Sequence, residues 1–319
     1  MIRITTPFTA TSTAADVVAG IDLSGRRAVV TGGSSGIGAD TARALAGAGA
    51  EVTLAVRDPA AGQHVAQDII ATTGNKQVRV AALDLADQAS VAAFVTGWSG
   101  PLHILVNNAG IMGVPLTRTP HGWELHFATN HLGHFALTTG LHPALAAAGD
   151  ARVVSVSSSQ HRLSRVVFDD IHFERRPYDA QAAYGQSKTA NALFAVEAAH
   201  RWAGDGITVN AVMPGVVRTN LMRHVDRDLL ARFEASGAPA LPWKTVEQGA
   251  ATSVLLATSP LLAGIGGRYF EDCHEAEPLH PDNPHGGVAA YALDPDQAAH
   301  LWQLSTELLT RRSDPHPGH

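Results

Sequence analysis

The stretch "RAVVTGGSSGIGADTARALAGAG", residues 27–49, decides the fold that the rest of the sequence must fit. Its first residues form an apolar run without alternation, which predicts a strand buried on both faces. The turn that follows holds Gly32, Gly36 and Gly38, where a side chain would keep a phosphate away from the backbone. Because a helix N-terminus carries unpaired amides and partial positive charge, this strand, turn and helix predict a pyrophosphate site.

The alternation of strands and alanine-rich helices continues along the chain. Further strands are predicted at 51–56, 78–83, 103–108, 152–157, 207–212 and 267–271. Regular βα alternation with strands of this kind is typical of an α/β fold. We therefore expect a single Rossmann-type, doubly wound parallel sheet of about seven strands, with helices on both faces and a ligand crevice at the carboxyl ends of the strands.

The alternation predicts one domain rather than two. We expect this domain to cover residues 24–312, after an N-terminal tail with a short helix at 1–23 and before a flexible tail at 313–319. Thr13 and Asp16 lie three residues apart, as in a capping box, and this spacing predicts the short helix.

Two segments interrupt the pattern, a polar insertion at 159–182 and a long excursion at 214–245. Long excursions at the carboxyl edge of such a sheet often form substrate walls, so 214–245 is predicted to be a substrate lid. Its apolar residues could line a lipophilic substrate, close a dimer or pack as a helix. These residues are Val216, Val217, Leu221, Met222, Leu229, Leu230, Phe233, Leu241 and Trp243.

Composition narrows the class of protein. The 319 residues are 45% hydrophobic and 16% charged, and the formal net charge of −6 disfavours nucleic-acid binding. No apolar run approaches the ~18 residues of a membrane span, and the N-terminus lacks the layout of a signal peptide. We expect a cytoplasmic protein whose one cysteine, Cys273, is a buried small hydrophobe that forms no internal disulfide.

Tyr184 and Lys188 lie one helical turn apart in "AAYGQSKTAN", residues 182–191, in a chain that has only three lysines and four tyrosines. On a helix both side chains would share a face. An ammonium beside a phenol favours the phenolate and lowers the phenol's pKa from about 10. We therefore expect Tyr184 to act as a general acid or base.

The ends of the second and third predicted strands carry charged residues that could recognise the adenosine half of a dinucleotide. Arg57 follows the second strand, and a guanidinium can bind a 2′-phosphate in bidentate fashion, which favours NADP. If Arg57 is only solvated, Asp58 could bind the ribose hydroxyls and select NAD instead. Asp84, after the third strand, could accept a hydrogen bond from the adenine amino group or cap the next helix.

Several motifs in the same order resemble the short-chain dehydrogenase/reductase family over about residues 24–271. They are "TGGSSGIG" at 31–38, "NNAG" at 107–110, Asn130, "SSS" at 157–159, the Y-x-x-x-K pair at 184–188 and "PGVVRT" at 214–219. The chain is most similar to the retinol-dehydrogenase-like branch, through "NHLGHF" at 130–135, "VSSSQHR" at 156–162 and "GRYFEDC" at 267–273. This resemblance implies hydride transfer between NAD(P)(H) and an alcohol or carbonyl.

The resemblance implies a catalytic set of Asn130, Ser158, Tyr184 and Lys188. Ser158 would hydrogen-bond the substrate oxygen and steady its developing charge, unless it only caps a turn; Ser157 should point to the opposite face of the strand, with Ser159 as the fallback. Lys188 would also hydrogen-bond the nicotinamide ribose. Asn130 would hold a water that links Lys188 to solvent.

The resemblance also implies the residues that bind the cofactor. They are Gly32, Ser34, Ser35, Gly36, Ile37, Gly38, Arg57, Asp84, Leu85, Asn108, Ala109, Gly110, Tyr184, Lys188, Pro214, Gly215, Val217 and Thr219. Asn107 is instead expected to fix the carboxyl end of the fourth strand. His131 and His134, three residues apart, lack a second pair at tetrahedral ligand spacing, so no metal is expected.

These observations together predict an NADP(H)-preferring oxidoreductase that interconverts an alcohol and a ketone or aldehyde on a lipophilic small molecule. Two alternatives stay open at this point. A branch that resembles protochlorophyllide reductase uses the same tyrosine and lysine to reduce a carbon–carbon double bond, and other relatives only sense NADPH. A homo-oligomer is compatible with the sequence, since family members often dimerise through the helices that hold Asn130 and Tyr184.

Overall fold

The protein's computed structural model describes residues 3–221 and 241–311. Its strands, in chain order, are β1 (Arg27–Thr31), β2 (Glu51–Val56), β3 (Val78–Ala82), β4 (Ile104–Asn107), β5 (Ala151–Val156), β6 (Ile207–Met213), β7 (Val216–Val217), β8 (Trp243–Lys244), β9 (Tyr269–Glu271) and β10 (His274–Glu275). All but β7 and β8 join one sheet in the order β10-β9-β6-β5-β4-β1-β2-β3, and β7 pairs with β8 outside it. Every pairing in this sheet is parallel except that of β9 with β10.

The helices are α1 (Ala14–Val18), α2 (Gly36–Gly47), α3 (Pro59–Thr73), α4 (Gln88–Gly97), α5 (Gly133–Gly140), α6 (His142–Ala146), α7 (Ala180–Arg201), α8 (Val246–Thr258) and α9 (Pro295–Thr310). They cover both faces of the sheet, because neighbouring strand residues point to opposite sides. Val30 packs with α2 and α8, whereas Val29 packs with α4 and α7. The predicted doubly wound α/β sheet is confirmed.

The main sheet has eight strands in the described part of the chain, rather than about seven. The additional strand is β10, which turns back on β9 through Asp272 and Cys273, both with positive φ (50° and 63°). Cys273 is buried, as predicted. The short helix α1 begins with the expected capping box of Thr13 and Asp16.

The segments that interrupt the alternation are only partly described. In the insertion at 159–182, 3₁₀ turns form at Ser159–Leu163 and Phe168–Asp170. Of the predicted lid, the structure describes both ends, and Met222, Leu229, Leu230 and Phe233 lie outside the described residues, as does the predicted tail at 313–319. The domain bounds and the lid stay predictions. In the described ranges no helix has both the length and the apolar character that crossing a bilayer requires.

The site lies where the direction of chain crossover reverses. β1 pairs with β2 on one side and with β4 on the other. Because the connections from these neighbours run to opposite faces, the loops after β1 and β4 separate and leave a crevice at their carboxyl ends.

Candidate active site

One cavity of about 1340 Å³ opens at the carboxyl ends of the strands, and every residue predicted to bind the cofactor lines it. Tyr184, Lys188 and Ser158 line the same cavity, so the predicted phosphate cradle and the predicted catalytic groups are brought together. Asn130 does not line it and lies behind the wall at Gly110, where an added Cβ would be 3.3 Å from the Asn130 Oδ1.

The glycine-rich turn after β1 is shaped for close approach to a ligand. Gly32 and Gly36 have φ of +67° and +55°, a region that favours glycine. A Cβ on Gly38 would lie 2.4 Å from the Asn108 Nδ2, so only glycine fits there. Thr219 lies above this turn, since a Cβ on Gly36 would be 3.1 Å from its Cγ2.

The N-terminus of α2 is prepared for an anion. Side chains cap the first turns of α3, α4 and α7, where Asp58, Asp87 and Asp179 accept hydrogen bonds from backbone amides. Within the described residues the Ser35 side chain makes no such hydrogen bond at the start of α2. The first amides of α2 therefore face the cavity without a side-chain acceptor, which fits the pyrophosphate of a dinucleotide.

A network around Thr31 fixes the loop after β4. The Thr31 Oγ1 accepts hydrogen bonds from the amides of Asn108 and Ala109, both at 2.9 Å, and the Asn108 Nδ2 donates to the Thr31 carbonyl at 2.8 Å. This holds Ala109 against Gly32, where an added Cβ would meet the Ala109 Cα at 2.9 Å. Asn107 lies on the other side of the loop and donates to the Thr138 Oγ1 at 2.8 Å, in agreement with the expectation that it fixes the strand end.

The charged residues after β2 and β3 line the same cavity. Arg57 and Asp58 both line it, and the Asp58 Oδ1 also accepts hydrogen bonds from the amides of Ala60 and Ala61 at the start of α3. Asp84 also lines the cavity, and its Oδ1 accepts a hydrogen bond from the Ala86 amide at 2.9 Å. The helix α4 is capped by Asp87, so Asp84 is not the cap of the next helix.

Tyr184 and Lys188 lie on the buried face of α7, with exposed fractions of 3% and 2%. The Lys188 Nζ donates to the Val156 carbonyl at 3.0 Å and lies 5.6 Å from the centre of the Tyr184 ring. The two side chains therefore share a face, as predicted, and both reach the cavity from the same helix.

Burial governs the protonation of this pair. It raises the pKa of Tyr184 to about 12, against the opposing effect of a hydrogen bond with the Ser158 side chain, and it lowers the pKa of Lys188 to about 7. The expectation that the ammonium lowers the pKa of Tyr184 is therefore wrong for the protein alone. Burial destabilises the phenolate by more than a nearby lysine stabilises it. The same burial also destabilises the charged form of the lysine.

The serines after β5 differ in what they bind. The Ser157 Oγ donates to the Lys188 carbonyl at 2.8 Å. The Ser158 side chain accepts from the Gln160 amide at 3.2 Å and so caps a turn, and it also acts to lower the pKa of Tyr184. Ser157 and Ser159 line the cavity as well, so the expectation that Ser157 lies away from the site is not met.

Asn130 lies in a π-helical segment, Phe127–Leu132, that precedes α5. Such segments often occur at functional sites because they displace one residue from the regular helical spacing. The Asn130 Oδ1 accepts from the Ile111 amide at 2.9 Å, and its Nδ2 donates to the Ile111 carbonyl and to the Ser187 Oγ. Asn130 thus ties the loop after β4 to α7, directly behind Lys188.

Sequence reasoning missed part of the cavity lining. The missed residues include Ile111, Met112, Val114, Leu125, Gln160, Arg162, Gln181, Pro284 and His285. Those at 111–114 directly follow the "NNAG" motif, and this adjacency was a usable signal. Pro284 and His285 come from a distant segment with no periodic pattern.

The histidines on the π-helical segment and α5 serve packing in the structure. The His131 Nε2 lies 2.8 Å from the Ser305 Oγ on α9, and the His134 Nε2 lies 2.9 Å from the Thr31 Oγ1. Burial lowers the pKa of both imidazoles, to about 3 and about 4. Among the described residues, no three histidine, cysteine or acidic side chains are grouped as metal ligands.

Comparison with known proteins connects this geometry to a family. The family model described as short chain dehydrogenase matches residues 26–230. A protein of Streptomyces antibioticus named "Probable oxidoreductase" is 57% identical, over 91% of this chain and 99% of its own. Human retinol dehydrogenase 12 is 41% identical, over 91% of this chain and 88% of its own.

Solved structures agree. An uncharacterised protein of Mycobacterium paratuberculosis has a TM-score of 0.72 at 36% identity, covering 93% of this chain and 97% of its own. A gluconate 5-dehydrogenase of Burkholderia cenocepacia, solved in complex with NADP and tartrate, has a TM-score of 0.63 at 26% identity, covering 78% of this chain and 94% of its own. The chain therefore belongs to the short-chain dehydrogenase/reductase family, in a retinol-dehydrogenase-like branch, and is an NAD(P)-dependent oxidoreductase.

Proposed function

We propose that this enzyme prefers NADP(H) and interconverts an alcohol and a carbonyl on a lipophilic small molecule. Its proposed catalytic set is Tyr184, Lys188, Ser158 and Asn130. One observation carries the proposal. Tyr184 and Ser158, whose side chain opposes the rise in the tyrosine's pKa, line the same cavity as the uncapped N-terminus of α2. A proton donor, an oxygen-binding hydroxyl and an anion-binding helix end thus face one volume.

The dinucleotide, when bound, supplies or accepts a hydride at its nicotinamide ring. The protein's side chains donate or accept the proton and bind the substrate oxygen. With a pKa of about 12, Tyr184 holds its proton at neutral pH and is ready to give it to a carbonyl oxygen during reduction. Ser158 can donate a hydrogen bond to the same oxygen and stabilise its growing negative charge.

Lys188 is suited to return the proton to Tyr184. Its pKa of about 7 lets the amine gain and lose a proton near neutral pH, and its Nζ is held in place by the Val156 carbonyl. Asn130 holds the neighbouring backbone at Ile111 and contacts α7 through Ser187. We infer that Asn130 supports a proton path behind Lys188 rather than touching substrate.

The preference for NADP rests on the different engagement of Arg57 and Asp58. The Asp58 Oδ1 already accepts from two amides of α3, which makes the carboxylate a weaker competitor for ribose hydroxyls. Arg57 offers a guanidinium to the cavity, where a 2′-phosphate would be its natural partner.

The lipophilic substrate rests on the apolar part of the lining. Ile111, Met112, Val114, Leu125, Leu221 and Leu241 face the cavity. Ligand pockets lined mainly by apolar side chains with a few convergent polar groups favour substrates that are mostly hydrocarbon.

The decisive experiment is Tyr184→Phe, assayed with NADPH and a panel of decanal, cinnamaldehyde and 2-decanone. We expect kcat to fall roughly 10³-fold because the proton donor is lost, while the Kd for NADPH, measured by fluorescence titration, changes by less than a few fold. Turnover that survives in this variant contradicts the proposal. Product analysis of the wild-type reaction with cinnamaldehyde separates a new alcohol from a saturated carbon–carbon bond, which would instead support the double-bond reductase.

A further inference from the structure

The 3₁₀ turn Ser159–Leu163, which directly follows Ser158, connects that serine to a distant part of the chain. Two of its side chains point to different partners. His161 reaches back to Ser158 and across to Ala289, and Arg162 binds the backbone at 284–286.

The Ser158 carbonyl is held by an unusual number of donors. It accepts from the His161 amide at 3.1 Å and from the His161 Nδ1 at 2.7 Å, and the Tyr269 hydroxyl lies 3.2 Å away. These donors fix the peptide plane between Ser158 and Ser159. They therefore hold the backbone from which the Ser158 side chain leaves, and the Gln160 amide, which donates to the Ser158 Oγ at 3.2 Å, holds the hydroxyl itself.

The hydrogen-bond partners of His161 leave it one tautomer. The Ser158 carbonyl can only accept, so Nδ1 carries the proton, and the Ala289 amide can only donate to Nε2 at 3.1 Å. The imidazole is fully buried, and burial lowers its pKa to about 4. His161 is thus a neutral, fixed bridge between Ser158 and Ala289.

Arg162 has a separate task on the same turn. Its guanidinium donates to the carbonyls of Ser159, Pro284 and Gly286 at 3.2, 2.8 and 3.2 Å. Pro284 and His285 line the cavity, so these bonds hold that segment as a wall opposite the catalytic groups.

We propose that His161 is a positioning residue for Ser158 and that Arg162 is a positioning residue for the wall formed by Pro284 and His285. The first acts on the chemical step and the second on substrate binding. The proposal rests on the proposed role of Ser158 and extends it. Through this turn, the position of the segment at 284–289 determines how Ser158 and the cavity wall are held.

Two substitutions of His161 each keep one of its two hydrogen bonds and remove the other. In His161→Asn the side-chain amide nitrogen is as many bonds from Cα as Nδ1, so it can still donate to the Ser158 carbonyl. In His161→Gln the amide oxygen is as many bonds away as Nε2, so it can still accept from the Ala289 amide. Both variants keep a polar residue of similar size, and Tyr291→Phe is a matched control that removes the 2.7 Å bond to the His161 carbonyl without touching Ser158.

Steady-state kinetics use the panel compound that the wild type turns over fastest. We expect kcat of His161→Gln to fall roughly tenfold, and that of His161→Asn and Tyr291→Phe to stay within about threefold of wild type, with KM for NADPH unchanged in all three. Arg162→Met should instead raise KM for the carbonyl compound roughly fivefold and leave kcat within about twofold. Equal kcat for the Asn and Gln variants, or a loss in Arg162→Met confined to kcat, overturns the proposal.

Hydrogen–deuterium exchange supplies a readout that needs no substrate. Amides of the peptide covering 157–163 should exchange faster in His161→Gln than in His161→Asn, and unchanged exchange in His161→Gln contradicts the positioning role. Ser158→Ala separates the two levels of the proposal. If Ser158→Ala keeps full turnover, or the wild type reduces none of the panel, the proposed function fails; if Ser158→Ala loses turnover while His161→Gln does not, only the positioning role fails.

Discussion

At one end of the cavity the wall is backbone, and at the other end it is side chain. The glycine wall consists of Gly32, Gly36 and Gly38 with Ala109 and Gly110, and at each of its glycines an added Cβ would come close to a neighbouring atom. The side-chain wall consists of Ile111, Met112, Val114, Pro284 and His285. The glycine wall suits one invariant ligand. In the side-chain wall, substitutions could alter which substrate fits without altering the sheet.

The two walls should respond differently to an added or removed methyl group. At Gly32 and Gly38 an added carbon would meet main-chain atoms at 2.9 and 2.6 Å, which cannot move aside, so the glycine wall should lose function there. Side chains in a large cavity can be shortened at little cost, so the side-chain wall should tolerate such changes.

The largest effect is expected for Gly38→Ala. The new Cβ would lie 2.4 Å from the Asn108 Nδ2 and 2.6 Å from the Gly32 carbonyl oxygen, so the turn must shift. We expect the Kd for NADPH to rise roughly 100-fold, measured by fluorescence titration. Gly97→Ala is the control, because a Cβ there meets nothing within 4 Å. Equal Kd values in the two variants would show that the glycine wall does not need its close approach.

A smaller effect is expected at Arg57, which lines the same cavity as the glycine wall. Arg57→Ala should raise KM for NADPH roughly tenfold and leave KM for NADH within about twofold, because only the 2′-phosphate needs the guanidinium. Arg26→Ala is the control, since Arg26 pairs with Asp150 on the surface. Equal changes for the two cofactors would contradict the NADP preference.

Lys188 lies between the two walls, and its burial predicts a pH effect on stability. The unfolded amine keeps its proton up to about pH 10.5, whereas the buried amine releases it near 7, so unfolding takes up a proton between these values. The free energy of unfolding of the wild type minus that of Lys188→Met should therefore rise by about 1 kcal/mol per pH unit from pH 7.5 to 9, measured by urea denaturation. A flat difference would mean that Lys188 keeps an ordinary pKa.

The smallest effect is expected on the side-chain wall. Met112→Ala should raise KM for the carbonyl compound about threefold, through loss of apolar contact, and leave KM for NADPH within twofold. A larger change in KM for NADPH than for substrate would place Met112 with the glycine wall and break the distinction.

What could be predicted from the sequence follows the same division. The six strands β1 to β6 and the glycine wall were readable, because unbroken apolar runs and glycines at close approaches are local constraints. The position of Pro284 and His285 was not readable. It depends on the Glu271 carboxylate, which accepts from the Gly287 amide at 2.7 Å, and on Arg162, which lies 122 residues before Pro284 in the chain.

Two other differences have physical causes that a sequence does not display. The strand β10 follows a turn in which Asp272 and Cys273 adopt positive φ, whereas the usual sequence signal for such a turn is Asn or Asp followed by glycine. The pKa of Tyr184 depends on how completely α7 is buried, which helical spacing alone does not reveal. Spacing predicted that the tyrosine and the lysine share a face, and only the packing set the direction of the pKa shift.

The π-helical segment Phe127–Leu132 departs from regular α-helical hydrogen bonding, and the position of Asn130 depends on the number of residues in it. Such a segment takes up one extra residue, so deleting a residue within it would give a regular helix and leave α5, with its contact between His134 and Thr31, in place. The residues of the segment itself would shift, and Asn130 would lose its position beside Ile111. In this enzyme a one-codon deletion that improves the helix would therefore dismantle the site beside it.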